Sequence, residues 1–187
     1  MNEHITRYDR MPIPPVEGQT TWIDAGAVKI GVEYRLLTDA IAAANEVIAA
    51  AGATQEAASV SSPVPLDDRG VSLHVFSAGD GAAAQEFLRF DCFDEDPHYH
   101  YISWRAMSNE MLHLDPIADG DPLAWALERL RTRLPQMLAR AGAGELAARV
   151  DPREIERALP RVAEAAYRAR YQSDAGAVMR DALGSAA

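Results

Sequence analysis

The stretch that decides the fold is EFLRFDCFDEDPHYHYISW, residues 86–104. Polar and apolar side chains alternate on both sides of Asp94-Glu95-Asp96-Pro97, and these four residues have the composition of a turn. Alternation with a period of two is typical of a strand that buries one face. The stretch therefore predicts a β-hairpin with strands over 86–93 and 98–104 and a four-residue loop.

The hairpin is predicted to have one polar and one apolar face, because alternate residues of a strand point the same way. With a four-residue loop, Phe93 lies opposite His98 and Asp91 lies opposite His100. The polar face then carries Arg89, Asp91, Phe93, His98 and His100. The apolar face carries Leu88, Phe90, Cys92, Tyr99, Tyr101 and Ser103 and is expected to be the core side.

Two imidazoles and a carboxylate on one rigid face are candidate metal ligands. Cross-strand partners stand about 4.5–5.5 Å apart at Cβ, so Asp91 and His100 are close enough to hydrogen-bond or to share an ion. His98, His100 and Asp91 would supply three ligands and leave positions open for water. This arrangement is typical of a catalytic divalent site, and the residues do not distinguish Zn, Fe or Mn.

Four neighbouring residues extend this candidate site. His74, Glu110 or His113 could add another ligand, although their register is not decided by the sequence. Arg89 could orient a carboxylate or another small anion, and it could equally neutralise Asp91.

The same residues leave two other interpretations open. The polar face could form a metal-free acid/base or ligand-binding pocket, in which the carboxylate sets the tautomer and raises the pKa of an imidazole. It could also be a half-solvated sheet face whose histidines and arginine meet water, as one face of an antiparallel sheet often does.

The rest of the chain predicts an α+β fold with a small, mainly antiparallel sheet of three to four strands packed against helices. Further strand patterns cover 22–35 and 71–77, and a helix capped by Thr38 is expected over 38–51. The C-terminal third is expected to be helical, with helices near 122–141 and 152–171. Pro135 and Pro160 lie inside these two windows and are expected to kink or shorten them.

The predicted organisation is one domain with three segments. Residues 1–20 are expected to form an extended arm, since Pro12, Pro14 and Pro15 disfavour regular structure. Residues 21–120 are expected to form the α+β core, and residues 121–187 a helical region packed on that core.

Charge and cysteine content argue against several kinds of partner and of metal site. The net charge of -10 repels phosphate backbones and anionic lipids, so no nucleic-acid or membrane partner is expected. The single cysteine, Cys92, rules out an intramolecular disulfide and multi-thiolate zinc sites. No signal peptide is visible, and the most apolar stretch, 40–53, is too short and too polar to span a bilayer. A cytoplasmic location is expected.

Two functions follow from these observations. The first is a small metal-dependent enzyme that uses the hairpin site, with Arg89, Asp91, His98 and His100 as its functional residues, in hydrolytic or lyase-like chemistry on a small anionic molecule. The alternative is a non-catalytic accessory protein or homo-oligomeric interaction module, such as a homodimer, whose C-terminal helices form the interface. The helical third, rich in arginine and glutamate, favours this alternative because it is long for covering so few strands.

Overall fold

The fold is a seven-stranded antiparallel sheet with helices on one face. A computed structural model describes residues 5–38, 67–79 and 84–184, with the backbone alone for Asp67 and for 173–184. The strands are β1 (Ile5–Tyr8), β2 (Thr21–Ala25), β3 (Val28–Thr38), β4 (Asp67–Ser77), β5 (Glu86–Phe93), β6 (His98–Ser103) and β7 (Ser108–His113). Their order across the sheet is β1-β7-β6-β5-β4-β3-β2.

The predicted sheet of three to four strands is wrong, although the α+β content is confirmed. Residues 22–35 were expected to be one strand, but a turn at Gly26, with φ of 72°, folds them into the β2–β3 hairpin. The edge pair β1 and β7 was not predicted. Both strands are short and mostly polar, so neither shows a clear apolar alternation.

The hydrophobic core lies between the sheet and the C-terminal helices. The helices are α1 (Pro122–Thr132), α2 (Leu134–Arg140), α3 (Gly144–Arg149) and α4 (Pro152–Gly184). Helix α1 begins as expected, because the Asp121 carboxylate accepts the Ala124 N–H as an N-cap. Leu123, Leu130 and Val162 are fully buried against the apolar side of the sheet, which carries Leu73, Leu88 and Phe90.

The two internal prolines act differently. Pro135 ends the predicted 122–141 helix and starts a new one, since α1 stops at Thr132 and α2 begins at Leu134. Pro160 does not end its helix, because α4 continues from Pro152 to Gly184, beyond the predicted end at 171. The expected 38–51 helix lies outside the described residues, apart from its proposed cap Thr38, which is the last residue of β3.

The sheet face turned away from the helices is polar and nevertheless buried. Its polar side chains with less than a tenth of their surface exposed include Glu33, Ser72, His74, Arg89, Asp91, His98, His100 and Asn109. The segment 9–20 connects β1 at one edge to β2 at the other and crosses this face. Its backbone accepts bonds from Asn109 at Arg10 O and from Arg35 at Ile13 O. A half-solvated polar face therefore does not describe this protein.

Two surface features bear on the expected absence of a membrane partner and on the expected interface of the C-terminal helices. Among the described residues, no helix has the length and apolarity that crossing a membrane requires. Tyr167 and Tyr171 of α4 are 47% and 78% exposed, so they do not pack into the core. An interface on the C-terminal helices, like the division into three segments, stays a prediction.

Candidate metal centre

The observed hairpin register is shifted by two residues from the predicted one. Asp91 pairs with His98, and Arg89 pairs with His100. Because side-chain direction has a period of two, an even shift leaves every residue on its predicted face. Asp91, His98 and His100 therefore still project from the same side of the sheet.

These three side chains converge on one point. The Oδ2 atom of Asp91 lies 3.4 Å from His98 Nε2 and 3.3 Å from His100 Nε2. Their candidate ligand atoms all lie within 4.8 Å of one another, and no other group of three or more ligand residues with this property occurs among the described residues. Exposure is 4% for Asp91 and 7% for each histidine, so the cluster is nearly enclosed.

Hydrogen bonds on the far side of each imidazole define its tautomer. His98 Nδ1 lies 2.6 Å from the Asp96 carbonyl oxygen, which can only accept. His100 Nδ1 lies 2.9 Å from Asn109 Oδ1, and the Asn109 amide nitrogen donates to Arg10 O, which fixes the amide orientation. Both Nδ1 atoms are therefore donors, and in the neutral rings both Nε2 atoms carry a lone pair.

As a consequence, the lone pairs of the two Nε2 atoms and of the Asp91 carboxylate point at one another. In their neutral forms, His98 and His100 both direct a lone pair toward a carboxylate oxygen of Asp91, with no hydrogen between. Such an arrangement is repulsive in a buried site unless a proton or a metal ion occupies the space. The pattern of Nδ1–H bonded to a carbonyl-type oxygen, with Nε2 free, is the one that metal-ligating histidines show.

Electrostatics distinguish the two histidines. Burial alone would raise the pKa of Asp91, but pairing with His100 and His98 and the charge of Arg89 hold it well below its usual range. Burial would lower the pKa of His98, but pairing with Asp91 and the bond to Asp96 raise it above its ordinary value. For His100, burial and the nearby positive charges of His98 and Arg89 outweigh Asp91, and its pKa is lowered.

Two further groups hold the candidate ligands in place. The Ser72 hydroxyl donates to Oδ1 of Asp91, which leaves Oδ2 facing the histidines. The Asp68 carboxylate accepts the backbone N–H groups of Glu95 and Asp96 at 3.0 and 2.9 Å. These bonds fix the β5–β6 loop and with it the Asp96 carbonyl that orients His98.

Arg89 belongs to a separate buried ion pair beside the cluster. Its Nε and one terminal nitrogen donate to the two carboxylate oxygens of Glu86 at 2.9 and 2.7 Å. His74 Nδ1 lies 2.7 Å from the same carboxylate, and His74 Nε2 lies 3.4 Å from Oε2 of Glu33. The geometry assigns Arg89 to neutralising Glu86, and an anion-orienting role for it stays a prediction.

None of the three extra ligand candidates joins the cluster. His74 is bonded through Nδ1 to Glu86, and its Nε2 lies beside Glu33 and not beside Asp91. Glu110 points to the opposite face, where it pairs with Arg7 and Arg140. His113 lies 2.6 Å from Oδ1 of Asp96 and is partly exposed. The supporting residues Asp68, Ser72 and Asn109 could not be identified from the sequence, because single polar residues in separate strands carry no local signal.

For a divalent ion bound at this candidate centre, we expect Asn109→Leu to weaken binding by about 10- to 100-fold while leaving all three candidate ligands in place. The variant removes the acceptor that holds the His100 ring, and loss of such an orienting partner typically has this effect. The measurement is competition with a chelating indicator, and Ser108→Ala, the preceding position in β7, is the control. Equal affinities in Asn109→Leu and the control would contradict the orienting role.

We expect Glu86 to make the protein sensitive to acid. Burial would raise its pKa, but Arg89 and His74 lower it from 4.5 to about 2. A lowered folded-state pKa contributes stability above the unfolded value, and this stability is lost as the pH falls from about 4.5 toward 2. The full contribution is about 3 kcal/mol, of which about 2 kcal/mol is lost by pH 3.

The measurement is urea unfolding between pH 6 and pH 3. In Glu86→Gln this loss should shrink, whereas Glu128→Gln, which removes an exposed carboxylate paired with Arg131, should behave as the wild type. An identical acid dependence in all three proteins would contradict the role of Glu86.

Comparison with known families adds one match. The model of a family described as Domain of unknown function (DUF7700) matches residues 22–166, which include the three clustered residues and most of the chain. Searches of curated proteins and of solved structures found no match.

Proposed function

We propose that this chain, which belongs to the DUF7700 family, binds one divalent metal ion between His98, His100 and Asp91 and uses it in the chemistry of a small molecule. The observation that carries the proposal is the direction of the donor atoms. Two Nε2 lone pairs and one carboxylate oxygen meet in a nearly enclosed site, and the two Nδ1–H groups are already bonded elsewhere.

The spacing of the donor atoms fits an ion. Two ligands about 2.1 Å from the same metal stand about 3.4 Å apart at a tetrahedral angle and about 3.0 Å apart at a right angle. The observed separations of 3.3 and 3.4 Å are close to the tetrahedral value. Zn²⁺ is therefore the first ion to test, and Fe²⁺ and Mn²⁺ follow because two histidines and one carboxylate also suit them.

Three protein ligands leave a coordination position for water or substrate, which supports a catalytic centre over a closed structural one. A metal at this position lowers the pKa of a bound water to about 7 or polarises a substrate oxygen, as hydrolytic and lyase-like reactions require. A divalent ion with one carboxylate and two neutral imidazoles keeps a net positive charge. Glu86 already neutralises Arg89, so Arg89 does not supply the positive charge that would attract an anion. The net positive charge of the metal centre supplies it, and this supports a small anionic substrate.

A cytoplasmic location is part of the proposal. The only cysteine, Cys92, is buried among core residues, and burial raises the pKa of its thiol. A protein with no cysteine pair gains nothing from an oxidising compartment.

The experiment uses the full chain without an affinity tag, stripped of metal by a chelator. Titration with Zn²⁺, Fe²⁺ and Mn²⁺, the last two without oxygen, should show one equivalent bound for at least one ion, with release of protons on binding. The loaded and stripped proteins are then compared on a panel of small carboxylate and phosphate esters, and turnover should require the metal. No stoichiometric binding of any of the three ions would overturn the proposal.

A further inference from the structure

A second candidate site lies on the helix-covered face of the sheet, opposite the metal centre. A cavity of about 320 Å³ opens between β6 and the junction of helices α1 and α2. Its aromatic wall is formed by Tyr99, Tyr101 and Trp125. Its polar wall includes Arg129, Arg133 and Arg140.

The sequence explains why these groups meet. In β6, residues 98 and 100 point to the metal centre, so Tyr99 and Tyr101 point to the helices. Pro135 ends α1 and starts α2, and Arg129, Arg133 and Arg140 lie on the two sides of this break. The interruption therefore gathers three guanidinium groups around a pair of tyrosine rings.

The arginines are arranged as a binding surface for an anion. The Arg129 guanidinium lies 4.7 Å from the centre of the Trp125 ring, and that of Arg140 lies 3.9 Å from the centre of the Tyr101 ring. Arg140 is partly neutralised by Glu110. Within the part of the chain that the structure describes, neither Arg129 nor Arg133 has a carboxylate partner within 4.0 Å.

This local excess of positive charge stands out in a chain with a net charge of -10. On α1, Arg131 pairs with Glu128, and on α4, Arg157 and Arg168 pair with glutamates one turn away. The cavity is therefore a place where cations remain available for a ligand.

We propose that this cavity binds a small molecule with a planar apolar body and an acidic group, a carboxylate or a phosphate. The planar body packs against the aromatic wall that Tyr99, Tyr101 and Trp125 form, since aromatic side chains attract flat apolar groups. The acidic group accepts charge-assisted hydrogen bonds from Arg129 and Arg133. This site is independent of the metal centre, because the sheet separates the two.

The test uses isothermal titration calorimetry of the full chain. The protein is first stripped of metal by a chelator, so that coordination to an ion cannot contribute to the measured binding. The probes share one ring system and differ in charge: 2-naphthoate, 2-naphthyl phosphate and the neutral 2-naphthylmethanol. At least one of the two anions should bind at least about tenfold more tightly than the alcohol. The tighter anion identifies the acidic group.

A pair of double variants tests the residues. Arg129→Gln/Arg133→Gln should remove the preference for the anion and leave binding of the alcohol nearly unchanged. Arg131→Gln/Arg153→Gln changes the net charge by the same amount outside the cavity and should bind the anion as the wild type does. The proposal is overturned if neither anion binds more tightly than the alcohol, or if both double variants bind the anion equally.

Discussion

Asp91→Ala is expected to reduce the affinity for Zn²⁺ by more than about 100-fold. Loss of a residue that merely orients a ligand already costs about 10- to 100-fold, and this change removes a proposed ligand together with its negative charge. The remaining His98 and His100 are neutral when they bind a metal, so neither of them offsets the charge of the ion. The measurement is competition with a chelating indicator, supported by metal content after dialysis.

A second substitution separates ligand loss from misfolding. Asp91→Asn keeps the side-chain volume and an oxygen for the Ser72 hydroxyl, but it removes the charge. It should therefore stay folded by circular dichroism and still bind Zn²⁺ far more weakly than the wild type. His113→Ala, which removes a partly exposed imidazole next to the site, should leave affinity unchanged within about threefold, which is about 0.6 kcal/mol. Wild-type affinity in a folded Asp91→Asn protein would contradict the assignment of Asp91.

Arg89→Met is expected to destabilise the protein by about 3–5 kcal/mol. The substitution keeps an unbranched side chain but leaves Glu86, which accepts two bonds from Arg89, as a buried carboxylate whose remaining partner among the described residues is His74. Removing one partner of a buried ion pair has this cost because the other charge stays desolvated. Chemical denaturation at pH 7 measures the change in the free energy of unfolding.

The double variant Arg89→Met/Glu86→Gln tests the cause. Removing both charges should recover a large part of the lost stability, since no unpaired charge is left in the interior. Arg131→Met, which breaks an exposed pair with Glu128, should cost no more than about 1 kcal/mol. A double variant as unstable as the single one would show that Arg89 stabilises the fold by a route other than its pair with Glu86.

The faces of the hairpin could be predicted, but its register could not. The alternation of side chains along each strand placed Asp91, His98 and His100 on one face, and a register shift of two residues leaves them on that face. The shift arises because Cys92 and Phe93 pair with β4 and not with β6, and because Asp68 of β4 binds the loop backbone. A tight four-residue loop was expected from local composition alone. The contact that prevents this loop is made by Asp68, which lies in the neighbouring strand β4 but far from the loop in sequence.

The supporting residues of the site also could not be predicted, because their contacts come from other strands. Ser72 and Asn109 lie on β4 and β7, and each contacts a ligand only because the strand order makes β4 a neighbour of β5 and β7 a neighbour of β6. Local alternation does not encode strand order, so neither residue could be assigned to the site. The size of the sheet was underestimated for a related reason, since the polar edge strand β1 and its neighbour β7 gain their partners only in the folded sheet.

The most direct test of the metal centre is anomalous X-ray diffraction from a crystal of the Zn²⁺-loaded protein at the zinc absorption edge. The proposal predicts one strong peak about 2.0–2.2 Å from Nε2 of His98, Nε2 of His100 and an oxygen of Asp91. A loaded crystal with no peak between these three side chains, or with zinc only at surface groups such as His113 and Asp96, would contradict it.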